Sequence, residues 1–157
     1  MSTTPADPRH RVRELAMQWL FAWELCRCPQ EAPELPEDSL AAGPPETVEA
    51  ARELLALVRQ HLPAIDSALD QRLQNWTLGR LAAVDRAILR LAAYEILYRG
   101  EVSPRVAINE AIELAKAYGS DAKTARLVNG VLDRLARDHR PQDLRRPAAA
   151  RPTTGDA

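Results

Sequence analysis

The amino-acid sequence predicts an all-α fold of six to seven helices, and three observations carry that expectation. Apolar residues make up 46% of the chain, yet aromatics only 4%, and there are only 6 glycines. The core must therefore come from Ala, Leu, Val and Ile packed as helices, and an all-β sandwich is disfavoured. Between proline-rich breaks the apolar spacing is 3.6 residues throughout, with no alternating stretch. A chain of 157 residues is also of single-domain length. It can bury roughly two-thirds of the surface its unfolded form exposes, so it needs no disulfide or metal to stand.

Three regions break the pattern. Residues 1–8 are small and polar and read as a disordered N-terminus. Residues 29–46, PQEAPELPEDSLAAGPPE, carry five prolines, many acids and no base, a composition that reads as a solvated linker within the domain. From residue 139 onward, and above all in PQDLRRPAAARPTTGDA (141–157), no apolar period remains, so 139–157 reads as a disordered tail. The folded helical domain is expected over 9–138.

Each helix has its own start and stop signals. Asp7 caps the first, Pro8 sits in its first turn, and Val12, Leu15, Ala16, Trp19, Trp23 and Cys26 form one stripe that Pro29 ends. Pro45 opens a second, with Val48, Ala51, Leu54, Leu55 and Val58 on one face, and Pro63 opens a third with Ile65, Leu69 and Leu73. Asn75 or Thr77 starts the longest run, whose core face is Leu81, Val84, Ile88, Leu91 and Ala92 and which Gly100 stops. Ser103-Pro104 opens the next, with Ile108, Ala111, Ile112 and Ala115 inward and Gly119 at its end. Asp121 caps the last, whose stripe is Leu127, Val128, Val131, Leu132 and Leu135. Asn129-Gly130 is ordinarily a hairpin signal, but both flanks keep helical spacing, so it reads as mid-helix. A glycine there costs about 1 kcal/mol against alanine and suggests that another helix crosses close by.

Charge and motifs narrow the function classes. Charged residues make up 27% with a net charge of −1, so any nucleic-acid site must be a local patch. Lys116 and Lys123 are the only lysines among 21 basic residues. The arginine preference suits planar contacts to phosphate or carboxylate, and a genome-wide Arg-for-Lys bias would produce the same count. Cys26 and Cys28 are too close for an easy disulfide, and with three scattered histidines they make no ligand set of zinc spacing. No metal is expected, and a reducing interior is. Neither a secretion signal nor an apolar stretch approaching 18 residues occurs, which implies a cytoplasmic protein with no membrane partner. Glycine-rich phosphate loops, HExxH, GxSxG and GxGxxG are absent, so neither an enzyme nor a cofactor is expected.

Helix one is the informative element. Projected at about 100° per residue with Val12 at zero, Phe21 falls near 180°, beside His10, Glu14 and Met17. The only phenylalanine in the chain then points away from the core stripe. An exposed ring near Arg9, Arg11 and Arg13 supplies guanidinium groups for phosphate and a flat face for a base, the ingredients of a single-stranded nucleic-acid site. The alternative is that Phe21 packs on a second layer of helices or under the acidic linker, and that the arginines are a solvated helix start.

The second half carries more specific runs: WTLGRLAAVDRAILRLAAYEIL (76–97), SPRVAINEAIELAKAYG (103–119) and LVNGVLDRLA (127–136). In that order, with short joints, they closely resemble the NusB family of transcription antitermination factors. The run RVRELAMQWLFAWEL (11–25) is similar to that family's opening helix, and the resemblance spans roughly residues 9–138. It implies two perpendicular three-helix bundles. It also implies binding of boxA-type single-stranded RNA from ribosomal RNA operon leaders, together with ribosomal protein S10, within the transcribing RNA polymerase complex and its other Nus factors. Position by position, it implies RNA contacts for Arg9, Arg11 and Arg13, for Phe21 in the place of an aromatic that is often tyrosine, and for Arg126 just before the VNGVLD helix. Asp85 matches an acidic position near the RNA and S10 surfaces. The chain departs from the family in three places: Phe21 has no hydroxyl, Leu127 stands where phenylalanine is common, and the 119–126 loop is one residue longer.

With Val84, Ile88 and Leu91 inward, the charged ends of Asp85, Arg86 and Arg90 are expected to face out. By themselves they are a solvated helix surface; under the resemblance they form a surface that meets S10. Two other readings stand beside the main one. A protein-only adaptor would bind S10 without sequence-specific RNA binding. The helical head of a ribosomal RNA cytosine methyltransferase would need an α/β cofactor domain, which this length does not accommodate. Monomer and homodimer both remain open, and an exposed Phe21 would suit a dimer interface.

Overall fold

The computed structural model describes residues 7–26 and 43–145, and these contain seven α-helices and no strand. They are α1 (Pro8–Leu25), α2 (Pro45–Gln60), α3 (Leu62–Asp70), α4 (Ala83–Tyr98), α5 (Pro104–Tyr118), α6 (Thr124–His139) and the short α7 (Pro141–Arg145), with a 3-10 turn at Leu78–Arg80 between α3 and α4. On one side α1 packs on α2, and α1 and α3 pack on α4; on the other, α4, α5 and α6 pack on one another. The helix α4 therefore lies between two groups. Residues Ala87–Ile96 are buried without a break, whereas an outer helix keeps a polar face in water. Charged residues within that stretch are carried inside and must find partners there.

The expected helix starts follow local chemistry. The Asp7 carboxylate accepts a hydrogen bond from the Arg9 amide at 3.0 Å, with Pro8 in the first turn, and prolines likewise open α2, α3 and α5. Gly119 follows α5 where α6 comes close. A Cβ there would stand 2.4 Å from the Ala115 carbonyl oxygen and 2.9 Å from the Thr124 Cβ, so the approach of the two helices requires glycine.

Several expectations need correction. The long run begins as a helix at Ala83, not at Asn75 or Thr77. Asn75 adopts a left-handed conformation (φ 67°), which Asn tolerates better than most residues, and this turn redirects the chain before the 3-10 turn. The expected tail from 139 starts instead with the end of α6 and with α7, where Leu144 packs against the core, the Arg105 guanidinium donates to its carbonyl at 3.0 Å, and Arg140 pairs with Asp143 at 2.7 Å. One apolar anchor and two arginines suffice to hold that turn. Pro45 and Glu46, placed in the linker, form the first turn of α2. The other expectations for 1–6, 27–42 and 146–157 lie outside the described residues. Cys26, the last member of the α1 stripe, is exposed.

No helix crosses Gly130. An added Cβ would meet only the Arg134 guanidinium, at 3.6 Å, which is ordinary contact with a flexible group. Gly130→Ala is therefore expected to stabilise the protein by about 0.5–1 kcal/mol, through the lower entropy of the unfolded chain. Thermal unfolding checks it, and a lowered midpoint would mean that the Arg134 side chain cannot give way.

Candidate nucleic-acid interface

The arginines of α1 do not form one patch. Successive odd positions on a helix point to opposite sides, and the three take different environments. Arg9 is exposed, whereas Arg11 is half-buried and paired with Glu14. Arg13 is buried, its Nε 2.8 Å from Glu95 Oε1 and its Nη2 2.9 Å from Glu95 Oε2. Burial acts to lower the Arg13 pKa, but the hydrogen bonds and charge of Glu95, helped by Glu110 and Asp7, hold it above the ordinary arginine value. Arg13 is thus a buried strut between α1 and α4, with one edge of its guanidinium taken by Glu95.

Phe21 is half-buried and packs against the core, and the acidic linker lies mostly outside the described residues. The buried arc of α1 comprises Arg13, Leu15, Ala16, Met17, Trp19 and Leu20, wider than a single stripe because α1 packs on both α2 and α4. The outer side of α1 is tied to α5: His10 Nδ1 lies 2.5 Å from Glu110 Oε2, and Gln18 donates to the Tyr118 hydroxyl at 3.2 Å. Burial first, then the neighbouring Glu14, push the Tyr118 pKa up.

Asp85, Arg86 and Arg90 do not face out, because the covering elements of α4 reach them from both sides. Asp85 is buried and accepts from the Ser120 amide at 3.0 Å, the Ser120 hydroxyl at 2.5 Å and the Thr124 hydroxyl at 3.3 Å. Arg86 pairs with Glu24 and donates to the carbonyls of Leu78 (3.2 Å), Gly79 (3.3 Å) and Leu81. Arg90 is buried and makes a bidentate pair with Asp66 at 2.8 and 2.9 Å, with Glu24 at 3.2 Å. Asp85 and Arg86 are thus fixings for two loops, 119–123 and 71–82, while Arg90 ties α4 to α3 and α1.

Those loops flank a cavity of about 640 Å³ whose lining includes Trp76, Arg80, Lys123, Arg126, Leu127 and Arg134. The Arg134 guanidinium holds the Arg72 carbonyl at 3.0 Å, and the Asp70 carboxylate accepts from the Leu78 amide at 2.8 Å. Arg80, Lys123 and Arg126 are exposed, and their charged groups have no ion-pair or hydrogen-bond partner among the described residues. Of the residues expected to bind RNA, Arg126 alone lines this cavity. Trp76, Arg80 and Lys123 were not anticipated. The one available signal was that Trp76 stands in the polar run QNWT, off the apolar period.

Among the described residues, no three His, Cys, Asp or Glu side chains are placed to hold a metal ion, and no helix is long and apolar enough to cross a membrane. A model of the NusB family matches residues 10–137. Transcription antitermination protein NusB of Thermotoga sp. (strain RQ2) is 38% identical over 136 residues, which is 87% of this chain and 95% of that protein. The solved NusB of T. maritima superposes with a TM-score of 0.76 at 36% identity, covering 87% of this chain and 96% of that one. A solved complex of the antitermination factors NusB and NusE with dsRNA matches at 0.71 and 26%, covering 83% and 97%. A family match over nearly all the described helices, and relatives covered almost end to end, place this chain in the NusB family.

Proposed function

We propose that this chain is a non-catalytic, RNA-binding transcription antitermination factor of the cytoplasm. It binds boxA-type RNA of ribosomal RNA operon leaders together with ribosomal protein S10, the NusE of the solved complex, and acts on transcribing RNA polymerase with other Nus factors. The observation that carries the RNA part is the cavity, lined by Arg80, Lys123 and Arg126, whose charged groups have no partner among the described residues, alongside the exposed Asp121, in a chain of net charge −1. A cation already free of carboxylates meets a phosphate without giving up an ion pair, and such local concentrations set where a polyanion lands. Arg9, exposed in the first turn of α1, is the α1 residue we assign to phosphate. Asp85 and Arg86 act on either partner through the loops they hold, and Arg90 through the packing of α1 and α3 on α4.

Filter binding of a boxA-type single strand, with and without S10, over a range of salt tests this reading. If about four phosphates are neutralised, by these three cations and Arg9, log K should fall against log salt with a slope near −3. Replacing Arg80, Lys123 and Arg126 together by Ala should flatten that slope and leave S10 binding intact. An unchanged slope refutes the cavity as the RNA site, and S10 binding without any RNA binding leaves the protein-only adaptor.

A further inference from the structure

We infer that Trp76 is the stacking platform for an unpaired RNA base seated in this cavity, an inference that rests on the RNA-binding reading above. Trp76 is 56% exposed, against 43% for Tyr98 and 36% for Tyr118, and its ring has no stacking or hydrogen-bond partner among the described residues. Leaving an indole in water is unfavourable in proportion to its apolar area, and a planar partner would relieve it. The residues on either side are held firmly. Asn75 turns the chain in the left-handed region, Arg134 grips the Arg72 carbonyl, and Asp70 and Arg86 hold Leu78 and Gly79. The ring is thus presented on a preorganised turn, which reduces the ordering cost of binding.

The surroundings select the class of ligand. Arg80, Lys123 and Arg126 share the cavity with Trp76, and free cations beside an aromatic face are the combination that takes a single strand, phosphate on the cations and base on the ring. The volume of about 640 Å³ falls within the roughly 300–1,000 Å³ of small-ligand sites. In a duplex both faces of each base are already stacked, so Trp76 can engage only an unpaired one. Phe21, half-buried against the core, offers less of a face for this task.

The test compares wild type, Trp76→Ala and Trp76→Phe, with and without S10, on a boxA-type single strand and on the same strand annealed to its complement, and measures binding of S10 without RNA. Trp76→Ala should weaken single-strand binding by about 5- to 150-fold, the range of one lost base–aromatic stack. Trp76→Phe should restore most of it, duplex binding should change little, and the melting temperature should stay put. Equal single-strand affinity for wild type and Trp76→Ala overturns the platform and leaves RNA binding standing. A wild type that binds no RNA removes both readings. If Trp76→Ala weakens binding of S10 alone while RNA alone is unaffected, the ring receives a protein segment and the inference is wrong.

Discussion

Glu95→Ala is expected to cost about 3–5 kcal/mol of stability, the loss that follows removal of one partner from a buried ion pair. Glu95 is 1% exposed and takes both of its hydrogen bonds from the Arg13 guanidinium. Truncating it leaves an arginine that cannot lose its proton in a site where, among the described residues, no other carboxylate is at bonding distance. Against a total stability of roughly 5–15 kcal/mol for a domain, this is the largest single effect we expect. Thermal and denaturant unfolding measure it. The double variant Arg13→Met/Glu95→Leu should recover most of the loss, because apolar groups of similar volume replace both charges without leaving one unpaired. A cost under 1 kcal/mol for Glu95→Ala would mean that water reaches Arg13 and that the pair behaves as a surface one.

Asp85→Lys is expected to be nearly as damaging, at about 2–4 kcal/mol. It orphans the buried Thr124 hydroxyl and the Ser120 amide and sets a cation against those donors. The 119–123 loop should loosen with it, displacing Lys123 and Arg126, so RNA binding should fall even without S10, although the added charge by itself favours phosphate. Unfolding curves and filter binding decide between this role and a surface one. An unchanged melting temperature with S10 binding abolished would return Asp85 to the position of a partner contact.

The all-α class, the order of helices, their proline and Asp7 starts and the Gly119 end were legible in the sequence, because each depends on local spacing and on backbone chemistry within a few residues. Family membership was legible for the same reason, since it rests on runs such as VAINEAIELAK and VNGVLD that survive without knowledge of the fold. The exposure of charged residues was not. The charges of Arg13, Arg90 and Asp85 look solvated when a helix is assigned one apolar stripe, but α1 packs on two neighbours and α4 on helices from both groups, so those side chains turn inward to carboxylates and loop donors.

The same limit hid the cavity. Trp76 and Arg80 lie 43 to 50 residues from Lys123 and Arg126 in the chain, and their meeting depends on Arg134, Arg86 and Asp85 holding two loops from elsewhere. The sequence by itself determined most of the helical segments, though not the start of α4 or the short α7, and to which family they belong, because periodicity and capping are short-range. Only the tertiary structure decided which charges are struts and which are free for a ligand, because a charged group in a low-dielectric interior must be paired, and whether its partner is present depends on residues distant along the chain.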